Sequence, residues 1–311
     1  MNFFSWLLLI SILISGQIVQ AVTCNQYVVQ VDNALYAKDL PKLAELLRIL
    51  KRLPDCSDDY LNLIKRNMSS LAADKANYLV RQGRLKEAET WLQYKYVQVN
   101  MWMTQTVRGN IAAKNQQWKN ATRFYNQSLD LMADSKATPQ SPSRAEIEKV
   151  FKLASETLLL AGTLTTTVRS SGQPSGVMRD SIRGIEIRKH PIPVQFVFGK
   201  TTVTKEAEDS VDILVKYLKF KKPDKIVLVG HTDHIGSEKY NCWLSIRRAK
   251  TLKSYLVNAG IRTNITTIGK GEYEPFELSE LNHYTRKQIN QINRRVEFAI
   301  DDSVLYSEKC K

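Results

Sequence analysis

Residues 230–248 contain two residues of opposite charge, Asp233 and Arg248. Asp233 follows an apolar stretch typical of a buried strand, and Arg248 lies in a segment with helical periodicity. An aspartate can bind an ammonium group, and the planar guanidinium of an arginine can donate two parallel hydrogen bonds to a carboxylate. By themselves the two charges favour a plain salt bridge between Asp233 and Arg248. A binding site for a small group that carries both charges is the other interpretation, and it depends on the longer motif that surrounds the pair.

Helical spacing adds further candidates to this site. Asn241, Leu244 and Arg248 recur at i, i+3 and i+7, so they share one stripe of a helix that can face the loop carrying Thr232. Leu244 would form the floor of the site. Asn241 would add a polar contact, although a local role at the start of the helix is the interpretation we favour. Arg295 either supports the bound carboxylate or only pairs with the neighbours of Glu297 on the sheet.

The histidines beside the aspartate could suggest a metal centre or a hydrolase. His231 and His234 flank Asp233, but the sequence offers no third ligand at a suitable spacing for zinc. No nucleophile-elbow glycine pattern surrounds Ser237 or Ser245. We therefore expect neither a metal, nor a cofactor, nor catalysis.

A longer motif contains these candidates. The sequence GHTDHIGSEKYNCWLSIRRA occupies residues 230–249, and NRRVEF follows at residues 293–298. Together they resemble the OmpA-like domain, over about residues 191–300. The resemblance implies an α/β sandwich that binds bacterial peptidoglycan. In that family an aspartate and an arginine hold the ammonium and the carboxylate of diaminopimelate in the stem peptide, and the motif places them at Asp233 and Arg248.

The segments around the motif alternate strand and helix, which predicts a mixed sheet with helices on one face. Residues 185–198 are extended but interrupted by Pro191 and Pro193, as in an edge strand. The expected helices and strands that follow are helix 206–220, strand 225–229, helix 237–259, strand 265–269 and strand 295–300. The predicted fold class is α+β, with a βαβαββ sandwich at residues 191–300 and a tail at 301–311.

Residues 22–140 have the apolar periodicity of helices. Residues 82–88 and 115–121 match at an offset of 33, since Ala88 and Ala121 correspond (121 − 88 = 33). The pattern is similar to a tetratricopeptide repeat, in which a small residue lets paired helices approach. Lys38 to Leu40 would start a weaker third copy. A generic helical bundle is the alternative.

A helix and a linker are expected between these domains, at residues 141–190. Ser143 has the character of an N-cap, because Glu146 follows three residues later, and the helix should run to about Thr163. The Ser/Gly/Pro-rich residues 170–175 predict a flexible connection.

The N-terminus predicts export. Residues 3–15 are almost unbroken apolar sequence, shorter than the about 20 residues of a membrane span, and cleavage is expected after Ala21. No Lys or Arg precedes the apolar run, so an uncleaved inner-membrane anchor is the alternative. Thr23 directly before Cys24 does not suit a lipidation signal.

Charge and cysteine content fit an exported protein. The formal net charge of +14 indicates an anionic partner, and export argues against nucleic acid. The four cysteines can form disulfides in an oxidising compartment, with three possible pairings. We expect Cys24 with Cys56 and Cys242 with Cys310, because this keeps each bridge within one domain.

The predicted function is that of a non-enzymatic periplasmic protein associated with the cell wall or outer membrane. Residues 191–300 would bind peptidoglycan, residues 22–140 would dock a protein partner, and contact with a membrane would be indirect. One alternative is a structural subunit of an envelope machine, such as a flagellar motor ring or a secretion apparatus. Another is a wall-processing enzyme.

Overall fold

The computed structural model describes residues 22–164, 167, 173–194, 196, 201, 203–279, 284–300 and 310. The expected signal peptide at residues 1–21 and nearly all of the C-terminal tail lie outside them. The chain forms two compact units that divide between Ile64 and Lys65. The sequence predicts domain boundaries near residues 140 and 190. That the parts of the chain on either side of them fold independently stays a prediction.

The first unit is a small helical unit closed by a disulfide. It contains a short 3-10 helix (Cys24–Tyr27), α1 (Val28–Tyr36) and α2 (Leu40–Leu50), and the division point falls within α3 (Asp58–Arg81). The predicted bond between Cys24 and Cys56 is confirmed, with their Cα atoms 5.2 Å apart. The leucines of α2 recur at three and four positions because this amphipathic helix buries one face.

The second unit opens with helices. They are α4 (Leu85–Trp91), α5 (Trp102–Lys114), α6 (Trp118–Ala133) and α7 (Arg144–Ala161). The predicted start of α7 is confirmed: Glu146 N donates to Ser143 Oγ at 3.3 Å and Ser143 N donates to Glu146 Oε2 at 2.7 Å. Within the described ranges, no helix combines the length and the apolar character needed to cross a bilayer.

The predicted internal repeat has a local structural counterpart. Helices α4 and α6 begin 33 residues apart (118 − 85 = 33). Gly83 and Gln116 stand two residues before these starts, and both have positive φ, at 73° and 56°, as does Lys38 before α2, at 53°. Ala88 and Ala121 are both fully buried. The turns are therefore alike, and assignment to the tetratricopeptide class stays a prediction.

The C-terminal part of the second unit is an α/β domain, which confirms the predicted fold class. A short hairpin, β1 (Ser181–Ile182) and β2 (Ile185–Glu186), precedes a four-stranded sheet. The strands and helices are β3 (Lys189–Ile192), α8 (Lys205–Lys221), β4 (Lys225–Gly230), α9 (Glu238–Asn258), β5 (Asn264–Gly269), α10 (Arg286–Asn293) and β6 (Val296–Ala299). The sheet order is β3-β6-β4-β5; β4 and β5 are parallel and the other pairs antiparallel. Pro191 lies in the edge strand β3, as predicted.

Helix α10 was not predicted from the sequence. Its eight residues, RKQINQIN, contain only two apolar side chains, so the hydrophobic pattern is weak. A capping box between Thr285 and Gln288 marks its start and was the available signal.

One hydrophobic core joins α6 and α7 to the sheet. It contains Tyr125 and Leu129 of α6, Leu153 of α7, and Leu228 and Phe298 of the strands, all fully buried. Helices α8 and α9 pack into the same core. Helices α6 and α7 therefore belong to the packing of the α/β domain.

A buried carboxylate on α7 fixes the segment that precedes α10. Glu156 is fully buried and accepts hydrogen bonds from the backbone N and the Oγ of Ser279 and from Tyr284 Oη, the last at 2.7 Å. Gln291 of α10 donates to the carbonyl of Leu160 at 3.2 Å, near the C-terminal end of α7. These contacts set the position of α10.

The Glu156 contacts predict a large mutational effect. Glu156→Gln keeps the size of the side chain but removes the buried charge that accepts from three donors, so we expect the free energy of unfolding to fall by about 2–3 kcal/mol. Glu148→Gln, on the exposed side of α7, should change it by less than about 0.5 kcal/mol. Urea denaturation followed by circular dichroism measures both. Equal stabilities of the two variants would contradict the prediction.

Candidate functional site

Two glycines let helix α9 rest on the ends of the parallel strands. A Cβ at Gly230, the last residue of β4, would lie 2.1 Å from the backbone oxygen of Ser245. A Cβ at Gly269, the last residue of β5, would lie 2.4 Å from Ser245 Oγ. Any side chain at either position would push the helix away. The close approach brings the loop after β4 next to the stripe of α9 that carries Arg248.

Asp233 lies in that loop and is buried. Its Oδ1 accepts a hydrogen bond from Ile235 N at 3.1 Å, and its Oδ2 accepts one from Arg294 Nη1 at 2.9 Å. The alternative of a plain Asp233–Arg248 salt bridge is therefore wrong, because the aspartate pairs with Arg294 instead.

Arg248 is 2% exposed, and its Nε and Nη1 have no hydrogen-bond partner among the described residues. Its guanidinium lies 5.0 Å from the ring centre of Phe196. Burial, and then the charge of Arg294, lower the pKa of Arg248 to about 10, while Asp233 and Tyr240 act in the opposite direction. Arg248 therefore remains charged at neutral pH with two buried donors unfilled, an arrangement that is costly unless an acceptor binds there.

The other predicted members of the helix stripe are buried as well. Leu244 is buried beside Arg248, as a floor residue would be. The Nδ2 of buried Asn241 donates to Glu272 Oε2, which ties the start of α9 to the segment after β5. Thr232 is buried, and its Oγ1 lacks a partner within the described part of the chain. The structure thus brings these residues together with Asp233 and Arg248, and their contact with a ligand stays a prediction.

Arg295 is placed differently from the other candidates. Its Nε donates to Glu297 Oε1 at 2.7 Å and its Nη2 to the carbonyl of Glu274 at 3.2 Å. Burial raises the pKa of Glu297, but Arg295 and His231 more than offset it and hold that pKa below its usual range. The guanidinium of Arg295 therefore balances the buried carboxylate of Glu297 itself, and its contact with a ligand stays a prediction.

The two histidines have separate surroundings. Burial, and then the charge of Arg295, lower the pKa of His231, whose Nε2 lies 3.4 Å from Glu297 Oε2. His234 is exposed, and its Nε2 lies 3.0 Å from Arg286 Nη2. Among the residues that the structure describes, no group of three or more His, Cys, Asp or Glu side chains could hold a metal ion.

Arg294 is the residue that sequence reasoning missed. It belongs to the same arginine pair as Arg295, but it ends α10, whereas Arg295 leads directly into β6. The motif signalled that an arginine was important near residue 294. Only the position of α10 decides which of the two reaches Asp233.

A second concavity borders the Arg295–Glu297 pair. It encloses about 1220 Å³ between α7, the edge strand β3 and the segment after β5. Its lining contains neither Asp233 nor Arg248. The lining includes Arg81, Glu148, Lys149, Lys152, Lys189, Pro191, Glu274 and Phe276.

The predicted second disulfide lies beside the site. Cys242, next to Asn241 on α9, is bonded to Cys310, with 5.2 Å between the Cα atoms. This confirms the expected pairing and ties the C-terminal end of the chain to α9.

Known proteins match the part of the chain that contains the site. The model of the OmpA family matches residues 195–288. Outer membrane protein A of Bordetella avium is 38% identical over 106 residues, which cover 34% of this chain and 52% of that protein. Outer membrane protein A of Klebsiella aerogenes is 41% identical over 85 residues, covering 26% of this chain and 24% of that protein. The chain thus spans about half the length of the first relative and a quarter of the second.

Among solved structures, the peptidoglycan-associated lipoprotein from Burkholderia pseudomallei is similar at 24% identity with a TM-score of 0.30, covering 36% of this chain and 89% of that one. The residues that the family model matches contain β4, α9 and β5, together with Asp233 and Arg248. Residues 195–288 of this chain therefore form an OmpA-family domain.

Proposed function

We propose that this protein is a non-enzymatic envelope protein that binds peptidoglycan through its C-terminal domain and anchors an envelope component to the cell wall. The observation that carries the proposal is the buried guanidinium of Arg248 with two unfilled donors. The OmpA-family match at residues 195–288 supports it, since that family's motif implies peptidoglycan binding. The relatives are named as outer membrane proteins, which supports a place in the envelope.

The proposed ligand group is the side-chain end of diaminopimelate in the stem peptide, which carries one ammonium and one carboxylate. The carboxylate would accept hydrogen bonds from the guanidinium of Arg248, whose Nε and Nη1 have no partner among the described residues. The ammonium would bind the remaining lone pairs of the Asp233 carboxylate, whose Oδ2 already accepts from Arg294. Asp233, Arg248 and Arg294 together carry a net charge of +1, which favours a stem peptide with a further carboxylate.

The proposed location is the periplasm, at the cell wall or the outer membrane. The support is the apolar run at residues 3–15 and the two disulfides, which persist in oxidising compartments. N-terminal sequencing of the exported protein tests cleavage after Ala21; a mature chain that starts at Met1 would favour the uncleaved anchor.

The helical part of the chain is proposed to dock a protein partner. The concavity between α7 and β3 supports this, because apolar residues such as Phe276 are interspersed there with charges of both signs. A photo-crosslinking side chain at exposed Lys149 should capture one envelope protein. The same probe at Lys216, exposed on α8, should not. Equal capture from both positions would contradict docking at this concavity. A captured species within a large complex would favour the envelope-machine alternative.

Removing either charge of the site should abolish wall binding. Asp233→Asn keeps the shape and removes the charge, and Arg248→Lys keeps the charge but removes the planar pair of donors. We expect each to weaken sedimentation with purified sacculi by about 2–5 kcal/mol of binding free energy. The matched controls Asp209→Asn and Arg262→Lys, both at exposed positions, should bind as the unmodified protein does. Unchanged binding of the site variants would overturn the proposal. Release of soluble muropeptides by the pure protein would instead support the enzyme alternative.

Replacing Arg248 or Arg295 with methionine should change the free energy of unfolding in opposite directions. Arg248→Met removes a buried cation with unfilled donors, so we expect the free energy of unfolding to rise by about 1–2 kcal/mol while wall binding is lost. Arg295→Met leaves Glu297 buried with His231 but without its permanent positive charge, so we expect a loss of about 3–5 kcal/mol. Thermal and urea denaturation measure both. A comparable loss of stability in Arg248→Met would indicate that Arg248 serves the fold rather than a ligand.

A further inference from the structure

An exposed aromatic stripe runs along the start of α9. Tyr240 is 41% exposed and Trp243 is 48% exposed, and their ring centres lie 5.7 Å apart with planes inclined by 31°. The guanidinium of Arg247 lies 5.6 Å from the Trp243 ring. The spacing of three and four residues puts Tyr240, Trp243 and Arg247 on one line of the helix surface. These three residues are the aromatic stripe.

The aromatic stripe borders the Asp233–Arg248 site. Each of its members directly precedes a member of the buried stripe, so the two lines are neighbours, about 100° apart around the helix. The ring of Tyr240 also lies against Gly236: a Cβ there would be 3.5 Å from Tyr240 Cδ1. Gly236 has a φ of +114° and follows Asp233 by three residues in the same loop. A ligand that extends out of the site across α9 therefore meets these rings.

The chemistry of the aromatic stripe favours a sugar. The face of an aromatic ring is negative, so it attracts the weakly positive C–H groups on the face of a pyranose. Arg247 at one end of the stripe can donate to hydroxyl and acetamido groups. Two rings beside a guanidinium offer too little continuous apolar surface for insertion into a bilayer.

We propose that the aromatic stripe is a glycan subsite that binds an N-acetylhexosamine of the peptidoglycan strand while Asp233 and Arg248 hold the attached stem peptide. The proposal rests on the proposed function, because the sugar reaches the stripe only if its peptide occupies the site. The protein would then recognise the junction of peptide and glycan rather than the peptide alone.

Calorimetry on the full chain with two ligands tests the subsite. One ligand is the free stem peptide, and the other is the same peptide attached to its disaccharide. We expect the disaccharide-peptide to bind roughly five- to tenfold more tightly. Trp243→Ala should remove that difference and leave the affinity for the free peptide unchanged. Trp243→Phe should retain most of the difference, and Tyr255→Ala, at an exposed tyrosine further along α9, should retain all of it.

The outcomes separate the subsite from the proposed function. Equal affinity of the unmodified protein for the two ligands would overturn the subsite while leaving stem-peptide binding intact. Failure to bind either ligand would overturn both proposals. Binding to anionic phospholipid vesicles that is lost in Trp243→Ala would assign the aromatic stripe to a membrane surface and overturn the glycan subsite.

Discussion

The contact between α9 and the ends of β4 and β5 is the constraint on which the site depends. Gly230 and Gly269 leave no side chain between the strand ends and the helix backbone at Ser245. Because the strands are parallel, their C-terminal ends lie at the same edge, and the loop that carries Asp233 starts there. The helix therefore brings Arg248 close to the loop that carries Asp233, which supports the proposal that the two charges bind one ligand.

The charged side chains at this edge differ in whether they have a partner of opposite charge. Asp233 is paired with Arg294, whereas Arg248 is buried with unfilled donors. A fold selected only for stability would place an apolar residue at position 248, since a buried cation without acceptors is costly. The nearby pair of Arg295 and Glu297 provides the contrast, because there the buried charges satisfy each other. This difference is the physical basis for assigning one arginine to a ligand and the other to the fold.

Helix α7 contributes to the same domain. Glu156 accepts hydrogen bonds from Ser279 and Tyr284, and Gln291 attaches α10 to the end of α7. Since Arg294 directly follows α10, helix α7 helps to set the partner of Asp233.

The sequence by itself determined the fold class, the order of most strands and helices, both disulfide pairs and the residues of the motif. Periodicity and caps act locally, so α7, α8 and α9 are found close to their predicted positions. Polar α10 was missed because its contacts with α7 lie about 130 residues away in the chain. Arg294, rather than Arg248, pairs with Asp233 for the same reason. Packing between segments that are distant in the sequence decides which charged side chains pair. No local sequence pattern encodes that pairing.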